Sequence, residues 1–170
     1  MDITKQKILG KLFHSQNKAL INRASRIAGA TPIHLNASKY TKFFGDKKYI
    51  LPYTIDEKRL VITDEEKSNA LAIRKKYQGK VLCFFIGRHV PYKGLDYLIE
   101  SSAKINQDNI QFLIAGNGEL TEKLKAKSLT DPKVTFLGRV TDSEWRTYLY
   151  ASDIFCFPSI TRNEGFGLAQ

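Results

Sequence analysis

The apolar residues of the C-terminal half fall into short unbroken runs, Val81 to Ile86, Ile110 to Ala115, Val134 to Leu137 and Ile154 to Phe157, whose starts lie 29, 24 and 20 residues apart. Runs that are apolar at nearly every position belong to strands covered on both faces, and the spacing leaves room for one crossover helix between each pair. Helical stripes fill those gaps: Leu95, Leu98, Ile99 and Ser102, then Leu120 and Leu124, then Trp145, Tyr148 and Leu149. The alternation predicts an α/β fold built on a doubly wound parallel sheet. Trp145 and the Phe84-Phe85 pair lie on the apolar stripe and strand and are expected in the core.

Two of the helix starts are marked. Thr141-Asp142-Ser143-Glu144 matches a capping box, in which hydroxyl and carboxylate satisfy free backbone N–H groups. Thr63 to Glu66 repeats the pattern and opens a predicted helix over 64–78 that Gly79 stops. The N-terminal region has another texture: a helical pattern around Ala19 to Ala28, an extended run Pro32 to Leu35, a basic stretch, then Tyr49 to Tyr53. It holds too few apolar runs to close a layer of its own, and no internal repeat or low-complexity tract replaces them. The change of texture sets a boundary at 58–80.

With 42% hydrophobic and 11% aromatic residues in 170, the chain buries a real core and is not a disordered one. Its 27 Lys and Arg against 17 Asp and Glu give a net charge of +10, which favours anionic partners: phosphate esters, nucleic acid or an acidic membrane face. Cys83 and Cys156 sit inside apolar runs, so neither a disulfide framework nor a zinc site is expected. His14, His34 and His89 have no ligand spacing. No apolar stretch approaches the roughly 18 to 20 residues that span a bilayer, and Met1 to Lys7 is not a signal peptide, so a soluble cytoplasmic chain is expected.

In an open parallel sheet ligands sit at the carboxyl ends of the strands, so the residues after each apolar run are candidates. Gly87 to Gly94 follows the first run, where two glycines let backbone approach a ligand and Arg88 and Lys93 set a planar fork and a point charge at one edge, as a diphosphate requires. A plain basic turn is the competing reading. Gly116-Asn117-Gly118-Glu119 follows the second run into a helix, and Gly138-Arg139-Val140 follows the third; either is also an ordinary turn. After the fourth run, glycines flank Phe166 ahead of Leu168-Ala169-Gln170, aiming N–H groups at an anion, with Glu164 placed to accept from sugar hydroxyls.

In their order, Gly-Arg then Lys-Gly, Gly-Asn-Gly, Phe-Leu-Gly, Asp-Ile-Phe-Cys-Phe-Pro-Ser and Glu-Gly-Phe-Gly, these loops resemble the C-terminal domain of the family 4 (group 1) glycosyltransferases, retaining enzymes of GT-B architecture. The resemblance covers residues 80–170. It implies a Rossmann-like parallel sheet flanked by helices, in which Arg88 and Lys93 neutralise the donor diphosphate and Gly165, Phe166, Gly167 and Leu168 present backbone amides to it. Gly87, Gly116, Asn117, Gly118 and Arg139 would form the nucleotide-binding loops. Glu164 matches the first acid of the family's Glu, seven residues, Glu motif and would act on the transferred sugar as the catalytic residue; the second acid falls at position 172, past Gln170. Neither a metal nor another cofactor is implied. Residues 31–58, with Ser38 near a turn and Ile50 to Asp56, resemble the passage out of the N-terminal domain. The implied organisation is therefore 1–58 as a remnant of the N-terminal acceptor domain, 59–80 as a linker helix, and 81–170 as a nucleotide-sugar-binding domain incomplete at its C-terminus.

The resemblance thus implies a truncated hexosyltransferase of polysaccharide biosynthesis, with a nucleoside-diphosphate sugar and an acceptor sugar or lipid as partners. The whole enzyme would associate peripherally with membranes, while the isolated chain would be inactive and self-associating. Two rival classes are weighed against it. A nucleic-acid module would account for the charge, but the basic residues are dispersed and lack the aromatic-basic alternation of a single-strand platform. A non-catalytic nucleotide-binding or scaffold domain of the same fold is the stronger rival, because fold does not dictate function.

Overall fold

The structure, a computed structural model, describes residues 12–160. Contacts divide the chain into two compact units, Met1–Thr54 and Ile55–Gln170.

In the first unit, α1 (His14–Arg23) is followed by β1 (Ile27–Gly29), α2 (Pro32–Ala37) and β2 (Lys48–Ile50), with β1 and β2 paired in parallel. Two expectations need correction. The helical pattern read over Ala19 to Ala28 is displaced: the helix ends at Arg23, and Ile27 pairs instead with Lys48. The run Pro32 to Leu35, expected to be extended, is helical, so His34 lies on a helix. Thr31 explains this locally, since its side chain accepts the His34 N–H while Pro32 fills the first helical turn, where a missing N–H costs nothing. Lys47 donates to the carbonyls of Ile21 (3.2 Å) and Asn22 (2.7 Å), satisfying the last turn of α1 with a cation. Leu35 and Phe44 are buried beneath these elements.

The second unit runs α3 (Asp64–Lys76), β3 (Val81–Ile86), α4 (Leu95–Lys104), β4 (Ile110–Ala115), α5 (Thr121–Lys127), β5 (Val134–Gly138), α6 (Asp142–Ala151) and β6 (Ile154–Phe155). Its four strands are parallel in the order β5-β4-β3-β6, so the strand order reverses between β3 and β6. Both faces are covered, as the unbroken apolar runs require. Phe85 and Ile114 pack with Leu95, Ile99 and Leu124 on one face; on the other, Leu82, Phe84, Leu113 and Ala115 meet Ile73, Tyr77 and Tyr148. Both predicted capping boxes are present, at Thr63 with Glu66 and at Thr141 with Glu144. Phe84 and Phe85 are core residues, whereas Trp145 is half-buried and its Nε1 donates to Asp142 at 3.3 Å.

Glu66 has a second task. Arg146 of α6 donates to its Oε1 through Nη2 (2.6 Å) and Nε (3.1 Å), so one carboxylate caps α3 and ties α6 to it. Arg146, then the Thr63 backbone N–H and Ser143, hold the Glu66 carboxyl at about 2 against an ordinary 4.5. A depressed carboxyl contributes stability in full above 4.5 and loses it as pH falls toward 2. In urea unfolding measured across pH, Glu66→Gln should be less stable near neutrality and fall less steeply than the parent through that window, the remaining slope coming from Asp64, Asp142, Glu144 and Asp153, whose carboxyls are also held low; parallel curves would refute the coupling.

Candidate functional site

The loops after β3, β4 and β5 are drawn together at the carboxyl edge of the sheet by backbone hydrogen bonds. Gly87 N–H donates to the Ala115 carbonyl (3.2 Å), His89 N–H to Asn117 (3.0 Å), and Gly116 N–H to Gly138 (2.6 Å). The loop after β6 joins them, Ile160 N–H donating to the Tyr92 carbonyl at 3.0 Å. Two of these loops, those after β3 and β6, flank the reversal of strand order, which is where an open α/β sheet offers a crevice.

Gly116 shows how close the approach is. Its φ is +111°, and a Cβ there would run into the Gly87 carbonyl oxygen, so both backbone conformation and space demand glycine. In the 87–94 loop Arg88 is exposed and Lys93 half-buried. The Lys93 side chain passes over Gly87, its Cε 3.7 Å from where a Cβ would stand, and its ammonium lies 5.7 Å from the Tyr92 ring centre and 5.5 Å from that of Phe157. The aromatic faces hold the ammonium of this loop against the rings of Tyr92 and Phe157.

Gly116, Asn117, Gly118 and Arg139, expected in the nucleotide loops, line one open cleft of about 730 Å³, with Phe136 as apolar wall. Gly87, Arg88 and Lys93 belong to the adjoining loop and do not line it. Glu164, Gly165, Phe166, Gly167 and Leu168 lie outside the described residues.

Two features of this region escape the sequence. His89 is fully buried, although polar or small residues precede it and nothing in the local period marks it as inward. Thr121 is its partner, with Nδ1 and Oγ1 2.9 Å apart. A second cleft of about 680 Å³, largely apolar, opens where Ile55, Leu60 and Ile62 face Trp145, Leu149 and Phe155. Cys83 and Cys156 are free thiols as expected, and burial, first, with the neighbouring Cys83, pushes the Cys156 thiol up to about 12, which leaves it protonated and inert. Among the described residues no cluster of three His, Cys, Asp or Glu could hold a metal ion, and no helix is long and apolar enough to cross a membrane.

Strand order and glycine-rich turns define the class: an open Rossmann-like α/β sheet with its loops gathered at the carboxyl edge of the strands. The chain belongs to the glycosyl transferases group 1 family, whose model matches residues 66–170. Among curated relatives it is 27% identical to D-rhamnosyltransferase WbpZ of Pseudomonas aeruginosa over 99% of this chain and 43% of that one. It is 24% identical to O-antigen chain mannosyltransferase C of Escherichia coli over 98% of this chain and 44% of the relative. The chain thus spans less than half the length of these relatives. Among solved structures, Anabaena Alr3699/HepE in complex with UDP and glucose superposes with a TM-score of 0.69 at 17% identity, over 85% of this chain and 41% of that one. WaaG, a glycosyltransferase involved in lipopolysaccharide biosynthesis, gives 0.69 at 17% over 84% and 40%. The fold is that of the GT-B glycosyltransferases.

Proposed function

We propose that residues 81–170 form the donor-binding part of a retaining hexosyltransferase of polysaccharide biosynthesis, with 59–80 as linker and 1–58 belonging to the acceptor-side domain. The observation that carries this reading is the convergence of Arg88, Lys93 and the glycine turns at 87, 116 and 118 on one sheet edge. Family membership and the donor complexes of HepE, solved with UDP and with UDP-glucose, support a nucleoside-diphosphate sugar as the ligand. In this reading the base lies in the cleft of Gly116 to Gly118 and Arg139, and the diphosphate against Arg88 and Lys93.

The chemistry follows from charge. Breaking the bond between sugar and diphosphate leaves negative charge on the leaving oxygen, and fixed cations placed beforehand stabilise it without reorganisation. Arg88 supplies a planar fork and Lys93 a compact charge; Gly165, Phe166, Gly167 and Leu168 add backbone amides, and Glu164 contacts the transferred sugar. The acceptor is a sugar or a lipid, reached on a cytoplasmic membrane face. Exposed Leu60, Leu149 and Tyr150 beside the apolar cleft provide a surface for self-association.

The ligand class is tested by salt. Titration with uridine or guanosine diphosphate should show binding that weakens only modestly with added salt, because about two phosphates are neutralised. Tight oligonucleotide binding that falls steeply with salt, without nucleoside diphosphate binding, would replace this reading with a nucleic-acid module.

A further inference from the structure

His89 belongs by sequence to the cationic loop, yet its ring turns away from the solvent. It is 0% exposed and packs against Phe85 (ring centres 6.5 Å apart) and edge-on to Phe136 (5.9 Å). Its Nδ1 lies 2.9 Å from Thr121 Oγ1, and that oxygen also accepts the Gly118 N–H at 2.8 Å. Main-chain bonds run in parallel, from His89 N–H to Asn117 O and from Leu120 N–H to His89 O, both 3.0 Å. A Cβ on Gly118 would stand 2.5 Å from the His89 carbonyl oxygen, so the two turns are in direct contact. The other ring nitrogen, Nε2, is buried and has no hydrogen-bond partner among the described residues.

We propose that His89 is a positioning residue for donor binding: as a neutral imidazole it locks the loop of Arg88 and Lys93 to the Gly116–Gly118 turn through the Thr121 hydroxyl, and protonation releases the lock. The role assigned to the lock rests on the donor-binding reading above.

The physical reason is the orphaned nitrogen. A buried polar group without a partner is costly, and a buried charge more so. Either neutral tautomer keeps the bond to Thr121, because a hydroxyl both donates and accepts. The protonated ring must hold a cation packed against Phe85 from β3 and Phe136 from β5, with Nδ1 on Thr121 of α5 and only the Ala115 carbonyl of β4 favouring the extra proton. Of the groups that bear on its charge, the Ala115 carbonyl of β4 favours the proton and the Lys125 ammonium of α5 opposes it, while Arg88 on its own loop adds no negative charge. Burial dominates and holds the ring below its ordinary 6.5. The sign is fixed: well above 6.5 the ring is neutral whether the lock is closed or open, and as pH falls through 6.5 protons accumulate preferentially on the open form. Acidification therefore opens the lock, and the two halves of the donor site part.

The test uses the 170-residue chain with His89→Asn, which keeps a hydrogen-bonding group near Nδ1 and does not titrate, and His89→Leu, which fills space without bonding. Without nucleotide, hydrogen exchange at the Gly118 and Leu120 amides is compared at about pH 7.5 and about pH 5.5, after correction for intrinsic rates. The parent should lose about tenfold protection on acidification, His89→Asn should lose none, and His89→Leu should lack it already at the higher pH. Should the leucine variant not fold, Thr121→Val serves the same comparison. Affinity for uridine and guanosine diphosphate is then measured at both pH values. Relative to His89→Asn, which cancels titration of the ligand itself, the parent should weaken about five- to tenfold at the lower pH. Equal pH profiles in parent and His89→Asn, or protection untouched by His89→Leu, overturn the proposal. The expected exchange pattern with no nucleotide binding at any pH would instead overturn the donor reading, and with it the assigned role, while leaving the lock established.

Discussion

Replacing Gly116 with alanine is expected to cost about 2 to 6 kcal/mol of folding stability, the sum of a strained left-handed backbone and a forced contact. The backbone share comes from its φ of +111°. The contact share is added because the new methyl meets the Gly87 carbonyl oxygen, a main-chain atom that has no rotamer to escape into. Relief would require separating the β3 and β4 turns, and the Gly116 N–H bond to Gly138 resists that from the other side. Gly79 provides the comparison. Its φ is +77°, but among the described residues nothing lies within 4 Å of a Cβ there, so Gly79→Ala pays only the backbone part, about 1 to 2 kcal/mol. Urea midpoints at unchanged slope give both values. Equal losses in the two variants would mean that the approach of the turns contributes nothing.

Arg88→Ala and Lys93→Ala should each weaken nucleoside diphosphate binding by about 1 to 3 kcal/mol, the range of a charge-assisted hydrogen bond, and Arg88→Glu should weaken it further by adding repulsion. Arg88 is exposed, so its loss should leave the unfolding midpoint in place, and an affinity change there reports on the ligand alone. Lys93 differs, because its stem packs over Gly87 and beside Phe157; its alanine variant should also lose a few tenths of a kcal/mol to about 1 kcal/mol of stability. Calorimetric titration with uridine and guanosine diphosphate decides. Unchanged affinity in both alanine variants would remove the diphosphate from this loop.

The second unit was legible wherever the determinant is local. β3 and β4 coincide with their apolar runs because strands buried on both faces leave no alternation to misread, and each capping box is contained within four residues. β1 and β2 escaped because three-residue strands owe their existence to a partner about twenty residues away. The helix at Pro32 is hidden from the local pattern because it depends on one hydroxyl at Thr31. In the site, Arg88, Lys93 and the glycines declare themselves through chemistry that few structural roles require. His89 does not: its burial depends on Thr121 and Phe136, which arrive from other strands and helices, and no window around residue 89 contains them. The apolar cleft is likewise invisible locally, since it exists only once 55–62 lies beside α6.

The order β5-β4-β3-β6 places the first strand of its sheet to be synthesised in the interior. β4 supplies one neighbour soon after β3 leaves the ribosome, but the other flank waits for Ile154 and Phe155, and the bond from Leu82 N–H to Asp153 spans 71 residues. Throughout that interval β3 is an edge strand whose unpaired backbone groups at Cys83 and Phe84 are a template for pairing with another nascent chain. Chain elongation, at roughly 5 to 20 residues per second, makes the exposure last several seconds. Slowing translation between β4 and β6 should therefore lower soluble yield more than slowing it before β3.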